Sequence, residues 1–214
     1  MTTAEREDPT APSLRLHSEA DLEDCRTLLG RLVRLDAGPV RLQVTTVGAT
    51  IWARPLGVLL RRDLRAHLSV PDRTVDAGEL LARLGSGPEV VLPDARDVDW
   101  HATLPPGVGW RLLDSVPTSA LHGLLEQATR LVRAAADPAA AGDSLLQRDA
   151  VTVSDEHDEV TVGMREVAVL YRLGLLTAST PDELVRVSAT GSWTRVAARH
   201  GTVYQRRGSA LGLS

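Results

Sequence analysis

Apolar residues recur at helical spacing in three stretches of the chain. The first stretch follows Ser18, a residue type that caps helices, and the second covers about 118–136. The third begins near Met164 and ends before Gly174. Cys25 lies on the apolar stripe of the first predicted helix, so we interpret it as a small buried hydrophobic residue rather than a reactive thiol.

Other segments alternate apolar and polar residues, which is typical of half-buried strands, and Gly and Pro residues separate them. Such segments cluster together along the chain instead of alternating regularly with helices. This pattern predicts an α+β fold in which antiparallel sheets carry packed helices. The strand-like segments are 40–45, 50–54, 58–62, 150–154, 160–162, 185–188, 193–196 and 202–206. A helix over 58–68 is an alternative for the third of these, because periodicity does not distinguish the two there.

Breaks in these patterns suggest how the chain is organised. Residues 1–16 are polar and include two prolines, which predicts a flexible tail. We expect an N-terminal α+β half over 17–87 and a C-terminal α+β half over 118–214 that ends in an antiparallel sheet. Residues 88–117 are rich in Pro and Gly and show no regular periodicity, so we expect an irregular connection between the halves.

Composition narrows the class of protein. The chain has 214 residues, and all 24 of its basic residues are Arg. Its net charge is −4, so no global positive field attracts nucleic acid, which we do not expect as a partner. Cys25 is the single cysteine, which fits a reducing cytoplasm. No apolar run is long enough for a membrane helix and no secretory signal is visible, so we expect a cytoplasmic protein away from membranes.

The C-terminal predicted sheet holds the sharpest cluster of candidate binding residues. Alternation places Trp193, Arg195 and Ala197 on one face of their strand. Guanidinium and aromatic groups together can hold an anion, a phosphorylated ligand or a nucleic-acid backbone. A solvated sheet face with internally paired arginines explains the same residues. The candidate ligand-binding residues are Trp193, Arg195, Arg199, Tyr204 and Arg206.

Three short C-terminal motifs resemble a group of uncharacterised proteins from G+C-rich bacteria. The motifs are Val185-Arg186-Val187-Ser188, Gly191-Ser192-Trp193-Thr194-Arg195 and Gly201-Thr202-Val203-Tyr204. The resemblance covers about the last thirty residues. It implies a bacterial source and supplies no activity, because the group has none assigned.

The remaining polar clusters do not select a catalytic or metal site. The acidic segment 155–159 is explained by a polar hairpin turn, and it lacks the glycine and distant Glu of a calcium loop. The histidines lack zinc-binding spacing. His101 with Asp97 or Asp99 could support acid–base chemistry, but no motif selects them. We therefore predict no catalytic residue, no metal and no cofactor.

These observations lead to one functional hypothesis and two alternatives. The leading hypothesis is a non-catalytic binding or scaffolding module, with a homodimer expected because symmetric pairs are the commonest oligomers. The first alternative is a binder of anionic ligands or nucleic acid through the C-terminal Arg/Trp sheet. The second is a small hydrolase or transferase with its site in 88–117. The partner would be an unknown protein or an anionic small molecule.

Overall fold

The computed structural model describes residues 11–85, 87–176 and 183–207, and they form an α+β fold divided into two compact units. Unit 1 comprises residues 1–53 and 62–101, and unit 2 comprises 54–61 and 102–214. Strand β4 (Leu59–Leu64) crosses the boundary between the two units along the chain. The α+β prediction is confirmed. The division into two halves at 17–87 and 118–214 stays a prediction.

Unit 1 contains two groups of antiparallel strands and two helices. Strand β1 lies between β5 and β7, and β2 lies between β6 and β3. The fully buried side chains Leu29, Leu42 and Ile51 belong to its core. The elements are β1 (Ser13–Leu16), α1 (Glu19–Arg34), β2 (Pro39–Thr45), β3 (Gly48–Ala53), β5 (Ala66–Leu68), β6 (Asp72–Asp76), α2 (Ala77–Arg83) and β7 (Glu89–Val91).

Helix α1 begins where the sequence predicts. The Ser18 hydroxyl accepts a hydrogen bond from the Asp21 backbone N–H at 3.2 Å, which satisfies one of the free donors of the first turn. The apolar stripe of the helix faces inward, and Cys25 lies on it with 1% of its surface exposed. Burial raises the pKa of the Cys25 thiol to about 12. The interpretation of Cys25 as a buried hydrophobic residue is confirmed.

Unit 2 pairs β13 with the part of β4 up to Arg61, and the order continues through β12 and β11 to β8 at the edge. Strands β9 and β10 form a separate hairpin. Val187 and Val203 of the sheet and Leu121 and Leu170 of the helices are buried. The elements are β8 (Arg111–Pro117), α3 (Thr118–Ala134), α4 (Pro138–Leu146), β9 (Asp149–Ser154), β10 (Glu159–Gly163), α5 (Met164–Arg172), β11 (Leu184–Thr190), β12 (Trp193–Ala198) and β13 (Gly201–Arg206).

The predicted flexible tail over 1–16 is wrong at its C-terminal end. Residues 13–16 form β1, where Leu14 and Leu16 are buried and Arg15 points outward. Two leucines in alternation are too short a pattern to identify a strand. Both neighbours of β1, β5 and β7, lie fifty or more positions further along the chain. Residues 1–10 of the predicted tail lie outside the described residues.

The segment 88–117 also contains more regular structure than its Pro and Gly content indicates. Strand β7 pairs with β1, and β8 pairs with β11. The part between them includes a short 3-10 turn, Asp97–Asp99. The prediction of an irregular connection is therefore wrong for β7 and β8, because strand formation there depends on distant partners rather than on local periodicity.

Candidate functional site

One side of the C-terminal sheet of unit 2 carries most of the predicted ligand-binding residues. Arg195 pairs in register with Ser188 on β11 and with Tyr204 on β13, and Trp193 pairs with Arg206. Directly paired residues share a side of a sheet, and so do residues two apart on one strand. We call this side the arginine face; it carries Arg186, Ser188, Trp193, Arg195, Tyr204 and Arg206.

Arg195 lies at the centre of the arginine face, stacked on an indole. Its guanidinium carbon is 4.6 Å from the centroid of the Trp110 ring, within the range of a cation–π contact. The Trp110 ring is also 5.7 Å from the Tyr204 ring, at a tilt of 55°. The Trp110 Nε1–H donates to the Pro106 carbonyl at 2.9 Å, which orients the indole. Trp110 was not among the predicted site residues, because it precedes β8 in a stretch without periodicity.

The polar contacts of Arg195 are few. Its Nη2 donates to the Ser188 hydroxyl at 3.3 Å, and its Nε is buried with no hydrogen-bond partner. Within the described ranges 11–85, 87–176 and 183–207, no carboxylate forms a salt bridge with Arg195. This arginine therefore retains unused hydrogen-bonding capacity in a partly desolvated place.

The other predicted site residues occupy different environments. Trp193 is 7% exposed, and the Arg206 guanidinium carbon lies 5.8 Å from its ring centroid. Arg206 itself is exposed. Arg199 is exposed in the turn between β12 and β13, beyond the ladder that joins the other four residues. The structure thus brings together Trp193, Arg195, Tyr204 and Arg206 on one side and leaves Arg199 at the end of the hairpin.

The acidic segment 155–159 forms the turn between β9 and β10. The Asp155 Oδ1 accepts hydrogen bonds from the backbone N–H groups of His157 and Asp158. Asp158 receives two hydrogen bonds from Arg207, at 2.6 and 2.7 Å, and these bonds hold the pKa of Asp158 below its usual range. Arg111 pairs with Asp155 as well. Asp155 thus stabilises the turn itself, and both carboxylates connect it to arginines of other segments. This agrees with the polar hairpin turn predicted from the sequence.

Unit 1 carries a similar arrangement of arginine and indole, but with a carboxylate included. Arg41 donates from Nε to Asp72 at 2.9 Å and from Nη2 at 2.6 Å, and its guanidinium carbon lies 6.0 Å from the Trp100 ring centroid. Gln43 also donates to Asp72, at 2.8 Å, and accepts from the Trp52 indole N–H at 2.9 Å. Burial opposes ionisation of Asp72, but the bonds from Arg41 and Gln43 outweigh it and lower the pKa of the carboxyl.

The longest helix of each unit carries the same four residues, Arg-Leu-Val-Arg, at or next to its C-terminal end. In α1 these are residues 31–34, and in α3 they are residues 130–133. Arg34 and Arg133, the last residue of each copy, are exposed. Leu131, within the second copy, is 62% exposed and lies off the buried side of α3. Arginines in a last helical turn also interact favourably with the negative end of the helix dipole.

The side chains considered for acid–base chemistry either form structural contacts or are exposed. The Asp97 carboxylate accepts the Thr74 backbone N–H at 2.7 Å and so covers the edge of β6. Asp99 lies 3.7 Å from Arg96, and His101 is exposed. Among the residues that the structure describes, no three His, Cys, Asp or Glu side chains are grouped as a metal site would require. No described helix is long and apolar enough to cross a membrane.

Comparisons with known proteins add two family models and a fold. Residues 9–102 match the model of a family described as a domain of unknown function (DUF8010), and residues 105–210 match a domain of unknown function (DUF8185). A search of curated proteins found no match. Neither family description states an activity.

Solved structures similar to this chain include several bacterial DNA polymerase subunits. A DNA polymerase sliding clamp from Bacillus subtilis is 13% identical, with a TM-score of 0.57 over 92% of this chain and 64% of that one. The beta subunit from DNA polymerase of Streptococcus pyogenes is 12% identical, with a TM-score of 0.57 over 92% and 65%. This chain has a sliding-clamp fold. It spans less than two thirds of the length of these clamps.

A third similar structure, the DNA polymerase III beta subunit from Thermotoga maritima, is 14% identical, with a TM-score of 0.55 over 91% of this chain and 64% of that one. The sliding-clamp fold overturns the expectation of a binding or scaffolding module without nucleic acid. That expectation was wrong because it relied on net charge, which averages over the whole surface and says little about any one face. The ligand-binding role of Trp193, Arg195, Arg199, Tyr204 and Arg206 stays a prediction.

Proposed function

We propose that this protein is a clamp for double-stranded DNA that closes around its substrate by assembling with further copies of itself. The observation that carries the proposal is the sliding-clamp fold, which extends over more than nine tenths of the chain. The names of the similar structures describe clamps of DNA polymerases. Because this chain spans less than two thirds of their length, its activity and partners are proposed from the fold and from its own residues.

The arginines at the ends of α1 and α3 are the contacts that we propose for the DNA backbone. A protein with a net charge of −4 has to bind phosphates through a local group of cations. The repeated Arg-Leu-Val-Arg sequence places arginines at the end of the longest helix of each unit. Phosphate contacts of this kind position a protein on DNA without reading its sequence. A clamp that moves along DNA requires that type of contact.

Self-assembly is part of the proposal, because a clamp retains DNA by enclosing it. A homodimer is the simplest assembly, and light scattering should then give at least twice the 23.0 kDa of one chain. The cytoplasm is the proposed location, since bacterial DNA lies there, and the resemblance of the C-terminal motifs to proteins of G+C-rich bacteria agrees with it. A concentration-independent mass of one chain would contradict the assembly.

Retention on DNA of controlled topology tests the function. Labelled protein is incubated with a linear duplex that is attached to a bead at one end, and the free end is then blocked by a bulky protein. We expect the clamp to remain through a wash at about 0.5 M salt, because enclosure does not depend on phosphate contacts that salt weakens. Cutting the duplex near its middle should release the clamp from the new ends.

Two variants separate backbone contacts from enclosure. Arg34→Ala combined with Arg133→Ala should lower the initial loading several-fold at low salt while leaving release on cutting intact. Arg172→Ala, at an exposed arginine in the last turn of α5, removes a similar charge and serves as the matched control. Failure to retain any protein, or retention that cutting does not change, would overturn the proposed clamp function.

A further inference from the structure

Arg195 on the arginine face lacks the acceptor that its setting calls for. Its Nε is buried without a hydrogen-bond partner, and its contact with the Ser188 hydroxyl is long at 3.3 Å. Buried cationic N–H groups in folded proteins are normally paired with an acceptor, and a carboxylate is the strongest acceptor for the planar guanidinium fork. Among the residues that the structure describes, none supplies a carboxylate to this cationic donor.

Unit 1 shows which acceptor an arginine on an indole takes in this protein. Arg41 lies over Trp100 and uses Nε and Nη2 to hold the Asp72 carboxylate, 2.6 Å away at its nearest oxygen. Arg195 lies over Trp110 in the same manner, but its cross-strand neighbours are Ser188 and Tyr204. Neither these neighbours nor the residues two positions from them on β11 and β13 are acidic. Since no carboxylate in the described part of the chain pairs with Arg195 either, one from another molecule would complete the arrangement.

We propose that the arginine face binds a carboxylate-bearing segment of a protein partner, with a partner Asp or Glu on Arg195. Arg186 and Arg206 lie on the same face, and neither forms a salt bridge within the described part of the chain. They provide further positive charge for an acidic segment. Leu112 of β8, which pairs with Ser188 and is 54% exposed, offers contact to an apolar side chain beside the carboxylate.

The geometry favours a protein segment over a nucleic acid at this face. Single-stranded nucleic acids use open aromatic rings on which bases stack. Here the Trp110 ring already contacts Arg195 and Tyr204, and Trp193 is 7% exposed beneath Arg206. The accessible features are therefore guanidinium groups and one leucine. This docking function is separate from DNA enclosure, so its failure would leave the proposed clamp function untouched.

Fluorescence anisotropy with a labelled poly-L-glutamate of about twenty residues tests the proposal, with an oligothymidylate of equal charge as the competing probe. We expect poly-L-glutamate to bind the full chain, and Arg195→Gln to weaken that binding about tenfold, as loss of a central arginine does at interfaces. Arg172→Gln, with the same loss of charge elsewhere in unit 2, should change it less than twofold. Equal losses in both variants, no binding, or preference for oligothymidylate would overturn the proposal.

A second variant supplies the missing carboxylate within the chain. Ser188→Asp places an acid directly across from Arg195, whereas Asp72 reaches Arg41 from the position opposite Gln43 in unit 1. We expect this variant to keep a cooperative thermal transition at or above the wild-type temperature and to lose poly-L-glutamate binding, because the guanidinium is then occupied. Undiminished binding in a folded Ser188→Asp protein would contradict the proposal. If the variant fails to fold, the comparison of poly-L-glutamate binding by Arg195→Gln and Arg172→Gln still tests the proposal.

Discussion

The two units place an arginine on an indole in the same way but complete the arrangement differently. In unit 1, Asp72 pairs with Arg41, and the edge of β6 is covered by the Asp97 carboxylate on the Thr74 N–H. In unit 2, Arg195 has only the Ser188 hydroxyl. The carboxylate on Arg41 thus belongs to unit 1, whereas no described residue of unit 2 supplies one to Arg195. This difference supports the proposed binding of a carboxylate at Arg195.

The largest expected difference between the units concerns two glycines that begin strands. Gly48 has a φ of +142°, and a Cβ there would lie 2.7 Å from the Leu64 carbonyl oxygen, a backbone atom. A Cβ at Gly201 would lie 2.8 Å from the Leu175 side chain, which can rotate away. We expect Gly48→Ala to cost about 3 kcal/mol and Gly201→Ala about 1 kcal/mol in free energy of unfolding.

Urea denaturation of both glycine variants measures these costs, with Gly107→Ala as a control, because nothing lies within 4 Å of a Cβ at that glycine. A Gly201→Ala cost equal to that of Gly48→Ala would contradict the expected difference between a clash with backbone and a clash with a side chain.

The second-largest expected effect is the loss of stability when Asp72, the carboxylate that pairs with Arg41 in unit 1, is removed. Among the described residues, the arginine face has no equivalent carboxylate. Asp72→Ala leaves Arg41 and Gln43 without their acceptor and should lower the free energy of unfolding by about 1–2 kcal/mol, since partial exposure lets water screen the loss. Ser188→Ala removes one long hydrogen bond from Arg195 and should cost about 0.5 kcal/mol. Chemical denaturation at neutral pH compares the two, and a larger loss for Ser188→Ala would reverse our comparison.

The smallest expected effect is a pH dependence of the stability that Asp72 contributes to unit 1. Burial raises the pKa of Asp72, but the bonds from Arg41 and Gln43 outweigh it, so the folded pKa lies below the unfolded value of about 3.9. The carboxylate therefore stabilises the fold above about pH 4, and this contribution is lost as the pH falls through the folded pKa. The stability gap between wild type and Asp72→Asn should shrink between pH 7 and pH 3. Asp94→Asn, at an exposed carboxyl, is the control, and a gap that widens in acid would contradict the assigned sign.

Local sequence signals predicted the elements whose cause is local. The Ser18 cap, the apolar stripe of α1 and the alternation in β11–β13 were sufficient, because capping and periodicity act within a few residues. Strand β1 was missed because its four residues are strand-like only in the presence of β5 and β7. Pairing of that range cannot be identified from one short segment.

The candidate site was predicted only in part, because alternation along one strand is visible in the sequence and contacts between distant segments are not. Alternation placed Trp193 and Arg195 on one side of their strand, which the pairing register confirms. It could not identify Trp110, whose contact with Arg195 joins residues far apart in the sequence. The repeated Arg-Leu-Val-Arg sequence was visible in the chain, but only the structure shows that both copies lie at or next to the C-terminal end of the longest helix of a unit. Net charge gave no indication of the sliding-clamp fold.

Tracking single labelled molecules on a stretched duplex tests the central claim, that this protein encloses DNA, most directly. With both DNA ends anchored, we predict molecules that diffuse along the duplex and whose residence time is unchanged between low and high salt. When one end is freed, the same molecules should leave by that end. Residence times that fall steeply with salt and do not depend on a free end would show binding by surface contact alone and would contradict the account.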